Sequence, residues 1–214
     1  THAVVVGAGL AGAAAARALA RLGLQVTVLE QHGAPAQQAS GNPGGLFHGT
    51  LNPDDGVYAR LFRAAALQAQ REFGPVIAAG KVPGQAAGLL RLETALADAA
   101  AMQTVLGRLG LPADYVGVLS RQEASNRTGV PLPGPAWFYP GGGWVCPALW
   151  VRHALATPGV QLHCGAAAHT LLRLGSGWCV QDAAGQTLGH APIVVLANAE
   201  GAAPLLAPLA HSAW

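Results

Sequence analysis

The sequence predicts an α/β fold built on a βαβ unit, with a mixed α+β region set into it. Three observations predict it. An apolar run opens the chain and breaks into a Gly-rich turn and an alanine-rich helix. A second apolar run follows and ends in a carboxylate. The middle of the chain alternates helical periodicity with short apolar runs, and the last third is rich in strands.

The first strand is Ala3 to Val6, and Gly7-Ala8-Gly9-Leu10-Ala11-Gly12 follows it. The helix runs from about Gly12 to Leu22 and is closed by Gly23. Gln25 to Leu29 is the second strand, with Glu30 at its end. Residues 33–56 read as loop. Tyr58, Leu61, Phe62, Ala65, Ala66, Ala69 and Phe73 then fall on one helical face, and Gly74-Pro75 is expected to stop that helix.

Gly88 to Leu92 reads as a strand, Glu93 to Leu109 as a helix and Tyr115 to Leu119 as another strand. Ser120 and Glu123 have the spacing of a capping box. Trp137 to Trp144 is aromatic and Gly-rich, and Pro147 suits the first turn of a helix through Leu155. Val160–Cys164, Thr170–Leu174, Trp178–Asp182 and Ile193–Leu196 read as strands, the last of them buried. Residues 183–186 make a hairpin turn.

Of the 214 residues, 51% are hydrophobic and 10% charged, ample for a core, and the net charge of +2 gives no footprint for nucleic acid. The three cysteines, Cys146, Cys164 and Cys179, have no metal spacing and read as reduced thiols of a cytoplasmic protein. No apolar run reaches the roughly 18 residues of a membrane span, and no metal site is expected. Residue 1 is Thr and strands lie close to both ends, with Trp214 soon after the last. The expectation is a piece of a longer polypeptide, truncated at its C-terminus.

The turn carries the chemistry. Gly-x-Gly-x-x-Gly between a strand and a helix is the pattern that holds a dinucleotide. Gly7 allows the tight turn, Gly9 lets a pyrophosphate approach the backbone, and Gly12 lets helix and strand touch. The helix N-terminus offers free N–H groups to the phosphates. Glu30 can accept from both ribose hydroxyls and would repel a 2′-phosphate, which disfavours NADP. FAD and NAD both fit so far. A plain NAD domain continues with a helix and another parallel strand; here the Gly-rich loop 38–46 follows, which favours FAD. Ser40 can reach a pyrophosphate, and Gly44 and Gly45 would let a flat ring lie against the backbone. The loop by itself also reads as ordinary surface. Near the far end, Ile193–Leu196 runs into the small residues Ala197 and Asn198.

These segments together resemble the D-amino-acid-oxidase-like FAD oxidoreductases, which include glycine and sarcosine oxidases. Ala36–Asn42, the run Arg60–Ala65 and Phe138–Pro147 carry a closer similarity to the FAD domain of bifunctional enzymes that modify tRNA. The resemblance implies a Rossmann-like FAD domain over 1–73 and 160–214, with a partial substrate domain over 74–159. It implies oxidation of an amine C–N bond beside a carboxylate. In the tRNA-modifying members, the carboxymethyl group leaves 5-carboxymethylaminomethyl-(2-thio)uridine at the wobble position as glyoxylate. A methyltransferase domain precedes the FAD domain in those members.

Carried over by position, the cofactor set is Gly7, Ala8, Gly9, Leu10, Ala11, Gly12, Glu30, Gln31, Ala39, Ser40, Gly45, Leu46, Ala168, Ala197 and Asn198. Gln31 and His32 depart from the family, which often has a basic residue after the acid. The segment that completes the flavin site and supplies an arginine for the substrate carboxylate lies outside this sequence.

Catalytic residues are not identified. His48, Tyr139 and Trp144 are pocket candidates: His48 as a base, the two aromatics as walls that stack on uracil or as core. Arg60 and Arg63 read as a solvated helix face that can reach tRNA phosphates. A small-molecule amine oxidase and a non-catalytic flavin-binding module are the alternatives.

Overall fold

The computed structural model describes residues 1–209; the expectation about Trp214 and the chain's end falls outside them. The order is β1 (His2–Val6), α1 (Leu10–Arg21), β2 (Gln25–Glu30), β3 (Gly45–Phe47), α2 (Val57–Ala78), β4 (Gly84–Gln85) and β5 (Leu89–Leu92). Then come α3 (Ala99–Leu109), β6 (Gly117–Leu119), α4 (Arg121–Thr128), β7 (Ala136–Tyr139), β8 (Gly143–Val145) and α5 (Pro147–Leu155). β9 (Val160–Cys164), β10 (Thr170–Leu174), β11 (Gly177–Gln181), β12 (Thr187–Ala191), β13 (Ile193–Leu196) and α6 (Ala202–Leu206) follow.

Contacts divide the chain into two units. One is Thr1–Pro43 with the chain from Cys146 onward; the other is Gly44–Val145. These limits differ from the expected ones at 73 and 160. α2 belongs to the inserted unit because its Phe73 ring sits edge-on against Phe47 of β3 at 5.2 Å. α5 belongs to the first unit because it packs on α1.

The first unit is layered. A parallel sheet of order β13-β1-β2-β9 forms its middle. Ala3, Val4 and Val5 are fully buried and Val6 nearly so, as expected of a strand covered on both faces. Ala13 and Ala16 of α1 are fully buried, and their small side chains allow close approach. The antiparallel sheet β10-β11-β12 packs Leu171, Val180 and Ala191 against Val4, Val6 and Leu29. β12 supplies a strand that the sequence did not announce beyond its turn. β13 is the edge of the parallel sheet, half-buried rather than buried, with Ile193 38% exposed.

The second unit holds the sheets β3-β8-β4 and β5-β7-β6. Met102, Val105, Tyr115, Val116, Trp137 and Tyr139 make its core. Three sequence expectations are corrected here. α2 runs through Pro75 to Ala78, because Val76 is buried beyond it and Ala79 N closes onto the Pro75 carbonyl.

Of the expected inward face of α2, Ala66, Ala69 and Phe73 are half-buried, but Tyr58, Leu61, Phe62 and Ala65 are exposed, and the fully buried Ala59 and half-buried Arg63 turn inward in the first turns instead. The inward Arg63 is explained by its pairing with Asp55, both carboxylate oxygens lying within 2.9 Å. That pairing also removes Arg63 from the set of free phosphate-binding cations. Finally, α3 starts at Ala99 rather than Glu93. The Glu93 carboxylate folds onto the Ala95 and Leu96 amides in a turn, and Asp98 caps the helix at Ala101 N.

Among the described residues no helix is long and apolar enough to cross a membrane.

Candidate cofactor site

The ends of β1 and β2 and the start of α1 enclose a cleft of about 330 Å³ in the first unit. The strands deliver the backbone to it. Gly7 N donates to the Leu29 carbonyl, and Ala197 N to the Val6 carbonyl, so the three strand ends are tied together. Gly7 takes φ +99°, a conformation that excludes other side chains, and a Cβ there would meet Ala197 O at 2.7 Å. A Cβ on Gly12 would lie 1.8 Å from the Gly7 carbonyl oxygen, so α1 touches the turn at that point.

Glu30 is 7% exposed, and its carboxylate is held from two sides. Ala8 N donates to Oε2 and His32 N to Oε1, each at 2.9 Å. A carboxylate has about four acceptor positions, so each oxygen keeps a lone pair for a ligand hydroxyl. Ala166 N donates to the Glu30 carbonyl and Ala36 N to the Ala8 carbonyl, which fixes the surrounding walls.

The first intrahelical bond of α1 runs from Ala13 N to Gly9 O. The amides before it need other partners. Leu10 N donates to Ser40 Oγ at 2.9 Å, across 30 residues of sequence. Ser40 therefore caps α1 from a remote loop, and its hydroxyl proton is left to donate. No side chain caps the helix at Gly9 itself. A Cβ on Gly9 would come within 3.0 Å of Ser40 Oγ. Glycine here preserves both the cap and the approach to the helix end, where the partial positive charge favours an anion.

Residues of the expected set that line this cleft are Gly7 to Ala11, Glu30, Gln31, Ala39, Ser40, Ala168, Ala197 and Asn198. Gly12 stands behind it as the helix contact. Gly45 and Leu46 belong to the second unit, where they form β3, and do not line it. Sequence reasoning missed His32, Ala36, Gln37, Gln38, Ala166 and Ala199. The neighbours of Gln31 and Ala39 carried a signal in their nearness; Ala166 did not, because only the pairing of β9 with β2 brings it in. His32 Nε2 sits 3.1 Å from both the Gln31 and the Gln38 side-chain nitrogens, forming a polar rim.

Of the three pocket candidates, two lie together and one apart. His48 and Tyr139 line a cavity of about 10 Å³ in the second unit, together with Tyr115. The His48 Nδ1–H donates to Gly49 O at 2.6 Å, and its ring centroid is 5.5 Å from that of Tyr139. Tyr139 is 2% exposed and is a core residue, so it cannot wall an open pocket. Burial pushes its hydroxyl up to about 12. The positive charge of Arg91 pulls the other way. Trp144 lies apart on the face of the β3-β8-β4 sheet, 38% exposed. Among the described residues no cluster of His, Cys, Asp or Glu is placed to hold a metal.

The cleft fits a dinucleotide flavin. It has a fixed carboxylate for a ribose and an anion-ready helix end, and Glu30 is the one acidic side chain among its lining residues. Comparisons with known proteins agree. The profile of the family described as FAD dependent oxidoreductase (DAO) matches residues 2–213. The tRNA 5-methylaminomethyl-2-thiouridine biosynthesis bifunctional protein MnmC of Methylibium petroleiphilum is 46% identical over 96% of this chain and 31% of its own length. Its counterpart from Ralstonia nicotianae is 40% identical over 99% of this chain and 33% of its own. The chain thus spans about a third of the length of these curated relatives.

Among solved structures, glycine oxidase from Geobacillus kaustophilus is similar with a TM-score of 0.72 and 24% identity, over 97% of this chain and 58% of that one. Iminodiacetate oxidase from Chelativorans sp. BNC1 has a TM-score of 0.65 and 24% identity, over 96% and 57%. These two likenesses are of fold. Motif, cleft and profile together place the chain in the DAO family of FAD dependent oxidoreductases.

Proposed function

We propose that this chain is the FAD-binding part of an enzyme that removes the carboxymethyl group from 5-carboxymethylaminomethyl-(2-thio)uridine at the tRNA wobble position. The observation that carries the reading is the Glu30–Ser40 cleft in a chain 46% identical to a tRNA-modifying bifunctional protein. A fused methyltransferase domain on the N-terminal side belongs to the same reading. So does a cytoplasmic setting, supported by three cysteines that are all free thiols.

In this reading Glu30 accepts from the adenosine ribose, with Gln31 and Ala168 at the adenine end. The turn from Gly7 to Gly12 and the hydroxyl of Ser40 hold the pyrophosphate, and Ala39, Ala197 and Asn198 close the sides. FAD, when bound, would supply the two-electron acceptor for oxidation of the substrate CH–NH unit, taking up the hydride that leaves the carbon beside nitrogen. The protein's task is to bind and orient. The substrate amine loses a hydride and a proton and becomes an imine. Water adds to the imine carbon, the C–N bond breaks, and glyoxylate and the aminomethyl nucleoside leave. No residue of this chain is assigned the proton transfer.

Likeness to glycine oxidase favours a second reading, oxidation of a small free amine. A non-catalytic flavin-binding module is a third. Purified protein is scanned from 300 to 550 nm before and after FAD addition and gel filtration. Glyoxylate is then measured with modified tRNA, glycine or sarcosine, and formaldehyde as well with sarcosine. Retained flavin with glyoxylate from tRNA alone is the expected result. Release from the free amines only would replace the first reading with the second, and flavin without turnover would leave the third.

A further inference from the structure

The β3-β8-β4 sheet of the second unit presents a neutral outer face. Trp144 stands opposite Leu46 on one neighbouring strand and opposite Gln85 on the other. Residues directly opposite share a face. The alternate positions turn inward, with Phe47 at 7% and Val145 at 3% exposure. The outer three do not: Leu46 is 72% exposed, Trp144 38%, and Gln85 is exposed as well. Gly44 lies beside the edge of the indole, its Cβ position 3.7 Å from Cε3, and offers no side chain to cover it. Among the described residues no aromatic ring packs on Trp144 and no side chain hydrogen-bonds the Gln85 carboxamide.

The composition of this face selects its occupant. None of the three side chains is ionised, which disfavours a phosphate or a carboxylate. An exposed indole suits a flat ring, because every base offers a π-face for stacking. A carboxamide offers one acceptor and one donor side by side. That pair complements the N3–H and O4 edge of uracil.

We propose that Leu46, Trp144 and Gln85 form the platform on which the uracil ring of the tRNA substrate stacks, with the Gln85 carboxamide paired to N3–H and O4. The proposal rests on the tRNA reading and adds to it the residues that read the base.

The test uses the FAD-loaded full polypeptide and fluorescently labelled anticodon stem-loops. One loop carries the modified uridine and the other is abasic at that position. The parent protein binds the base-containing loop more tightly. Trp144→Ala reduces that preference by about 5- to 150-fold, the range of one lost stack. Trp144→Phe keeps most of it, and Gln85→Ala reduces it by about 2- to 10-fold. Circular dichroism melts report on folding, and Gln85→Ala decides alone if Trp144→Ala melts early.

Undiminished preference in Trp144→Ala and Gln85→Ala would overturn the platform and leave the tRNA reading standing. A parent protein that does not distinguish the two loops would remove the tRNA reading, and the platform with it.

Discussion

Glu30→Gln tests the cleft most directly, because the carboxylate serves the fold and the ligand at once. In the parent both oxygens accept a backbone N–H, from Ala8 and from His32. A carboxamide has one oxygen. Whichever way it turns, its NH₂ faces one of two donors. Ala8 is fully buried, whereas the His32 side lies at the rim. The oxygen therefore goes to Ala8, and His32 N is left facing the carboxamide NH₂ without an acceptor.

An orphaned donor costs about 1–3 kcal/mol. In a domain of this size each kcal/mol moves Tm by about 2–4 °C, so the flavin-free protein should melt roughly 2–12 °C lower. The ligand loses a charge-assisted acceptor, about 1.5–3 kcal/mol, which weakens FAD binding about 10- to 150-fold. Differential scanning fluorimetry without FAD and flavin titration with it separate the two effects. Glu30→Asp keeps the charge but cannot span both amides, and it should fall between parent and Glu30→Gln. An unchanged Tm together with unchanged FAD affinity would refute the two-sided role.

Further expectations concern the helix and the second unit. Gly12→Ala forces a Cβ to within 1.8 Å of the Gly7 carbonyl and should abolish flavin retention on gel filtration. Gly23→Ala, with open space around it, should cost only the roughly 1–2 kcal/mol of a left-handed residue. Ser40→Ala removes the acceptor of Leu10 N and should lower stability by about 0.5–2 kcal/mol in urea titrations; Gly9→Ala, which crowds Ser40 Oγ, should match it in part.

Trp137→Phe removes the indole N–H that donates to Glu93 Oε2 at 2.6 Å. Burial raises the Glu93 carboxyl, but hydrogen bonds from Ala95, Trp137 and Leu96 outweigh it and hold the group below its ordinary 4.5. That stabilisation is present above the ordinary carboxylate range and is lost as pH falls through the folded value. The urea midpoints of parent and Trp137→Phe should therefore differ more at pH 7 than at pH 3. An equal gap at both would refute the coupling.

Local chemistry was legible in the sequence wherever neighbours in the chain decide the structure. The turn Gly7–Gly12 and the strands around it are one such case. The capping box is another, with both the Ser120 and the Glu123 bonds formed. β9, β10 and β13 match their expected limits, each an apolar run bounded by turn residues.

What escaped depends on partners far along the chain. β3 and β8 are three-residue strands containing glycine, with too few positions to show a period of two, and only their mutual pairing defines them. The inward face of α2 escaped only in its first turns, where Arg63 turns inward to meet Asp55, a bond that hydrophobic periodicity cannot register. Glu30 and Ser40 carry an expected role toward a ligand from sequence alone. Their second role, as acceptors for Ala8 and Leu10, required the loop and the helix to be seen together. His48 lies just past the end of β3, lining the small cavity with Tyr139, whereas Trp144 of the neighbouring β8 stands on the exposed face of the same sheet.

The central strand β1 is flanked in parallel by β2, which follows it closely, and by β13, which arrives only at Ile193. During synthesis the nascent chain can therefore form one side of the nucleotide cradle early, while the other side waits for most of the polypeptide to emerge. Throughout that interval one edge of β1 carries unpaired amides and carbonyls beside an apolar surface, a template for stray strands. Contacts of such long sequence separation make closure slow. The Val6–Ala197 bond, which completes the cleft, is thus a late event in the life of each molecule, and a nascent chain halted before residue 193 would expose a sticky edge where the cofactor wall belongs.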